Sequence, residues 1–91
     1  MFKIASHLLL VFIFLVSHSY ANTFNQINVT GNERISKETI LVLSNLKTGI
    51  NYDDNQLNQS FKNLFQSNFF RDINFEVLDN VLNISIVENV N

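Results

Sequence analysis

Hydrophobic and polar positions change their spacing several times along this chain, and each change marks a boundary. From Leu8 to Val16 every residue is apolar. Beyond it, Phe24, Ile27 and Val29 form a short apolar segment that stops at Thr30-Gly31-Asn32, a turn signal, which predicts a first strand. Ile27 and Val29 share a face of that strand, with Phe24 out of phase. Ile40, Leu43 and Leu46 then recur at threes, with Leu41 and Val42 widening the face. Ser36 stands where a helix cap should, and Glu38 suits the positive end of the helix dipole. The expected first helix runs from Lys37 to about Leu46, closed by Gly49 as a left-handed terminator.

Asp53-Asp54 starts a second helix, one residue capping and the other adding negative charge. Leu57, Phe61, Leu64 and Phe65 follow at i, i+4, i+7 and i+8, a single apolar stripe, while Asn55, Asn58, Gln59, Lys62 and Asn63 fill the wet side. Asn68, tolerant of the left-handed conformation, falls just past its end. From Ile73 the period becomes two. Leu78-Asp79-Asn80-Val81 reads as a two-residue hairpin turn with both central positions suited to positive φ. Counting outward, Val77 faces Leu82, Phe75 faces Ile84 and Ile73 faces Ile86, all apolar. The other face receives Glu76 with Asn83 and Asn74 with Ser85. A slip of one residue would scatter the apolar set over both faces.

The order strand, helix, helix, strand, strand predicts an α+β fold, one sheet covered on one face by two helices. The stretch "LFQSNFFRDINFEV" is the joint between second helix and hairpin. Phe61 and Phe65 are expected in the core from the helix stripe and Phe75 from the inward face of the hairpin. Phe69 and Phe70 belong to the joint that folds the helix onto the hairpin.

The N-terminal run changes what counts as the folded unit. One cation, Lys3, precedes it, and Ser19-Tyr20-Ala21 places small residues three and one before a cut after Ala21. Residues 1–21 therefore read as a cleaved secretory signal, the run being too short for the roughly 20 residues that cross a bilayer. An uncleaved anchor is the alternative reading. Residues 22–91 make one domain. Without Lys3 it carries five basic against eight acidic residues, which argues against nucleic-acid binding. Both histidines, His7 and His18, lie in the signal, and the chain has no cysteine. A domain of this size without disulfides has only its core, rarely worth more than about 3–5 kcal/mol. Fifteen asparagines fall in 22–91, enough to account for Asn-x-Ser/Thr triplets at Asn28, Asn58 and Asn83 as compositional bias.

Candidate chemistry is sparse. A domain without His or Cys has neither a serine triad of the usual kind, nor a thiol nucleophile, nor a zinc site of His and Cys. Neither Gly31 nor Gly49 belongs to a phosphate-cradling loop. Asp53 and Asp54 are better explained as a helix start than as an acid/base pair or metal site. The residues indicate a protein that is not an enzyme and needs no cofactor.

Three stretches, "INVTGNERIS", "LKTGINYDDNQLNQSFKNLFQSNFFRDINFEV" and "LNISIVEN", taken in this order of elements, resemble the POTRA domain. This is the periplasmic repeat of BamA-type outer-membrane assembly factors. The resemblance runs from about Phe24 to Glu88. It rests on Gly31, Ile35, Gly49, Leu57, Leu64 and Phe65, on Phe69 or Phe70, and on Asp72, Ile73 and Val77. Asn68 stands where the family often has glycine, and Asn89-Val90 where it commonly has proline after the glutamate. With a signal directly in front, the chain looks like a first repeat. The resemblance implies a three-stranded mixed sheet with the third strand central and the first and second strands at the edges. It implies location at the periplasmic face of the bacterial outer membrane. The partners it implies are unfolded outer-membrane β-barrel proteins, accessory assembly lipoproteins, following repeats and a C-terminal barrel. An edge strand shows unpaired N–H and C=O groups to which an extended client can add. Ile73, Asn74, Phe75, Glu76, Val77 and Leu78 are the candidate client-binding edge. A two-partner secretion transporter with the same repeat and a free-standing small exported binding protein are the alternatives.

Overall fold

A computed structural model describes residues 21–90; the body of the expected signal, residues 1–20, lies outside the described residues. The strands are β1 (Ala21–Thr23), β2 (Gln26–Thr30), β3 (Asn51–Asp53), β4 (Phe70–Leu78) and β5 (Val81–Glu88). The helices are α1 (Lys37–Ser44) and α2 (Asp54–Gln66). β5 is central in a three-stranded mixed sheet, parallel to β2 and antiparallel to β4, as the resemblance implies. β1 and β3 form a separate antiparallel pair that the hydrophobic pattern does not announce.

The hairpin register is the expected one: Val77 pairs with Leu82, Phe75 with Ile84 and Ile73 with Ile86. Its turn differs from expectation in one respect, because only Asp79 (φ 54°) has positive φ. A bulge at Arg71 explains the change of period inside the aromatic stretch. Phe70 pairs with Glu88 and Asp72 with Val87, leaving Arg71 as the extra residue. The bulge lets Phe70 and Ile73, three apart, both point into the core.

Both helix starts follow the sequence signals. Ser36 accepts from the Thr39 N–H at 3.2 Å. Asp53 and Gln56 form a reciprocal capping box with two 2.8 Å bonds. The exits differ. α1 ends two residues earlier than expected because Asn45 takes the left-handed conformation (φ 57°), and the Leu46 N–H donates to the Leu41 carbonyl at 3.0 Å. Gly49, also left-handed (φ 79°), belongs to the following loop, where its N–H donates to the Phe24 carbonyl at 2.8 Å. Asn68 is left-handed (φ 64°) as expected.

The core joins Ile27, Ile40, Leu46, Leu64, Phe70, Ile73, Leu82, Ile84 and Ile86, with Phe24 and Tyr52 beneath the β1–β3 pair. Phe24, out of phase with its strand, lies in the connection from β1 to β2, fully buried and stacked on Tyr52 with centroids 6.2 Å apart. Several expected core positions are corrected. Val42 is 79% exposed, outside the buried face of α1, and buried Ser44 instead turns its hydroxyl back to the Ile40 carbonyl at 2.8 Å. Phe65 is 57% and Phe69 52% exposed. Phe61 and Phe75 are half-buried. The helical period identifies a face but not where a small sheet runs out beneath it.

At the far end of β5, the Glu88 carboxylate accepts three consecutive backbone N–H groups of the β2–α1 loop. These come from Glu33 (2.5 Å), Arg34 (3.0 and 3.1 Å) and Ile35 (3.2 Å). These donors, Glu33 first, hold its carboxyl below its ordinary 4.5 against a smaller opposing effect of burial; the Arg34 charge adds to them.

Candidate protein-docking surface

β4 contributes an open edge. It pairs with β5 on one side, and among the described residues no strand covers the other. β2 is the second edge, but it is five residues long against nine in β4. The side chains of the expected edge divide by the pleat. Asn74 and Glu76, both exposed, lie on the open polar face with Asn83 and Ser85. Ile73 is buried in the core, so it can offer a client only its backbone. Phe75 and Val77 lie on the helix-covered face, yet Val77 is 39% exposed because the hairpin runs past the cover of α2, and Leu78 at the turn is 57% exposed.

Alongside this edge runs an apolar shelf that sequence reasoning assigned to the core. Phe61 meets Phe75 edge to face, centroids 5.6 Å apart at 81°, and lies against Phe65, 6.4 Å away at 16°. Two adjoining shallow hollows share Phe61. One is lined by Asp54, Leu57, Asn58, Phe61, Phe75 and Val77, the other by Phe61, Lys62, Phe65 and Gln66. A strand added to β4 points every second side chain toward the α2 side of the sheet, where this shelf lies. The geometry has two sides: Phe61, Phe65 and Val77 lie on the α2 side of such an added strand, and Asn74 and Glu76 on the other. The stripe by itself gave no sign of the shelf, because helical spacing sets a direction and not how far the sheet covers it.

Among the described residues no group of three or more His, Cys, Asp or Glu is placed to hold a metal ion, and no helix is long and apolar enough to cross a membrane. The surface offers the unpaired backbone edge of β4 and partly exposed apolar side chains beside it.

Comparison with known proteins places this arrangement. Over 77 residues, 85% of its length, the chain is 29% identical to the outer membrane protein assembly factor BamA of Neorickettsia risticii (strain Illinois), of which the match covers 10%. The chain thus spans about a tenth of that relative. The solved N-terminal domain of Omp85 from Thermosynechococcus elongatus shares the fold, with a TM-score of 0.66 over 78% of this chain and 32% of that one, at 16% identity. The family model for POTRA, described as the surface antigen variable number repeat, matches residues 22–90. With β2, α1, α2, β4 and β5 in the family's order, β5 central and both helices capped, the chain belongs to the POTRA family.

Proposed function

We propose that this domain is a periplasmic module of an outer-membrane protein assembly factor, and that it holds extended segments of β-barrel clients by adding them as a strand to the outer edge of β4. One observation carries the reading: the longest open edge of the sheet lies beside an aromatic shelf of half-buried Phe61 and exposed Phe65. Backbone pairing is nearly blind to sequence and so suits many clients. The shelf supplies selection for chains whose apolar residues alternate, the pattern of barrel strands. The chain's similarity to an assembly factor named for outer-membrane proteins supports the same partner class, with accessory assembly lipoproteins as further partners.

The test is fluorescence anisotropy with a labelled, alternating ten-residue strand peptide and protein lacking residues 1–21. Binding is expected to saturate, and Phe65→Ser, at an exposed position, is expected to weaken it several-fold without lowering stability. A peptide of identical composition with its apolar residues in one block should bind poorly. Equal binding of both peptides, or an unchanged affinity in Phe65→Ser, would remove the shelf from the mechanism.

A further inference from the structure

We propose that the outward face of α1 is a self-complementary surface through which two copies of this chain pair about a two-fold axis. None of its residues belongs to β4 or to the shelf beside it, so the pairing is independent of client binding.

The face follows from the helical period. Ile40 and Ser44, four apart, are the buried residues of α1. Glu38, Val42 and Asn45, at i, i+4 and i+7, lie together on another side, all exposed, with half-buried Leu41 next to Val42. Val42 is 79% exposed. A β-branched residue there contributes neither packing within the chain nor helix propensity. Together with Leu41 and Leu46 it floors an open groove of about 730 Å³.

Where α1 ends, the chain turns back along this groove on a fixed backbone. Asn45 takes the left-handed conformation and Leu46 is buried. The Leu46 N–H donates to the Leu41 carbonyl at 3.0 Å, and the Lys47 N–H to the Tyr52 hydroxyl at 2.8 Å. Lys47 is thereby held on the groove beyond the C-terminal end of α1, while Glu38 stands on it in the first turn. One groove carries a carboxylate at one end, an apolar middle and an ammonium at the other.

That order identifies the occupant. Val42 comes four residues after Glu38 and five before Lys47. A two-fold axis through Val42 sets two α1 helices antiparallel and lays the two Val42 side chains together. It also brings each copy's Glu38 to the other copy's Lys47. Isologous pairing needs such a patch, in which residue i meets j and j meets i. A parallel arrangement would set carboxylate on carboxylate and ammonium on ammonium. An extended client finds no unpaired strand edge here, because the backbone of a helix bonds within itself. The patch is one eight-residue helix, about 12 Å long, and the turn after it. It belongs with the transient contacts that bury under about 1,200 Å², so pairing depends on concentration.

Sedimentation equilibrium and amide spectra of the 22–91 protein, followed from micromolar to millimolar concentration, test the proposal. The average mass is expected to rise toward that of a dimer. Amide shifts should grow in step at residues 38–48 and leave residues 73–78 in place. Charge reversal gives the sharpest pattern. Glu38→Lys alone and Lys47→Glu alone are each expected to weaken self-association roughly tenfold. Mixed together, the two should associate as well as the wild type, since one offers two cations and the other two carboxylates. The double variant should again pair with itself. Restored pairing in these samples separates charge from damage to the fold, because they carry the same substitutions. Val42→Gln, at an exposed position, should weaken pairing several-fold with amide dispersion kept. A monomer at every concentration, single reversals that pair like the wild type, or a mixture no stronger than its components would each overturn the proposal. Shifts at residues 38–48 produced by a strand peptide and not by concentration would do so too, the occupant then being a client.

Discussion

Replacing Gly31 by alanine tests how the β2–α1 loop is seated on the central strand. Gly31 has φ +89°, and a Cβ there would overlap the Ile86 carbonyl of β5. Two costs follow: about 1–2 kcal/mol for forcing a side chain into the left-handed region, and about 1–3 kcal/mol for displacing packed backbone. Gly49 separates them. Its φ of +79° carries the same conformational cost, but a Cβ there meets nothing within 4 Å. Gly31→Ala is therefore expected to lose about 2–5 kcal/mol and Gly49→Ala about 1–2 kcal/mol. Against a total of about 3–5 kcal/mol for a core of this size, the first variant sits near its unfolding midpoint in plain buffer. Urea unfolding followed by far-ultraviolet circular dichroism reads the difference directly. In thermal melts each 1 kcal/mol corresponds to roughly 4–8 °C. Losses equal within about 0.5 kcal/mol would refute the reasoning, since the contact with Ile86 would then contribute nothing beyond conformation.

Leu64 and Phe65, neighbours in the same predicted stripe, should behave oppositely: Leu64→Ala, fully buried, is expected to lose about 2–5 kcal/mol and Phe65→Ala, largely exposed, within about 0.5 kcal/mol, both by urea unfolding. Asp53→Ala removes half of the capping box and should lose about 0.5–2 kcal/mol. Glu88 supplies a pH dependence with a definite sign. Its native carboxyl stays ionised to lower pH than in the unfolded chain, so the unfolded state binds more protons in that window. Its contribution is fully present above about pH 4.5 and is lost as pH falls through the lowered native value. Glu88→Gln should be less stable at neutral pH and show a flatter loss of stability below pH 4.5 in urea titrations.

The hairpin was the most legible part of the chain because two constraints agree: the two-residue turn sets the count, and only that count puts Ile73, Phe75 and Val77 opposite Ile86, Ile84 and Leu82, respectively, on one face. Helix starts were equally plain, since Ser36 and Asp53 act on donors three residues away. What escaped depended on contacts distant in sequence. Ala21-Asn22-Thr23 has no periodicity of its own and becomes a strand only because β3 lies beside it. Phe24 looked misplaced for the same reason, its pocket being made by Tyr52. Asn45 ended α1 before Gly49 could, because either residue tolerates the left-handed conformation and local preference does not rank them by position. At the candidate surface, alternation showed the strand through Ile73–Leu78, and its place at the sheet edge came from the resemblance. The shelf of Phe61 and Phe65 was not legible, because a stripe reports direction and not the extent of what covers it.

The most direct test of the central claim is a backbone amide titration of the 22–91 protein with an alternating barrel-strand peptide. Strand addition at β4 predicts selective shifts along residues 73–78, slowed hydrogen exchange at their outward N–H groups, and smaller changes at Phe61 and Phe65. The β2 edge, residues 26–30, should remain as it was. Shifts confined to β2, or no slowing of exchange along β4 at saturation, would contradict it.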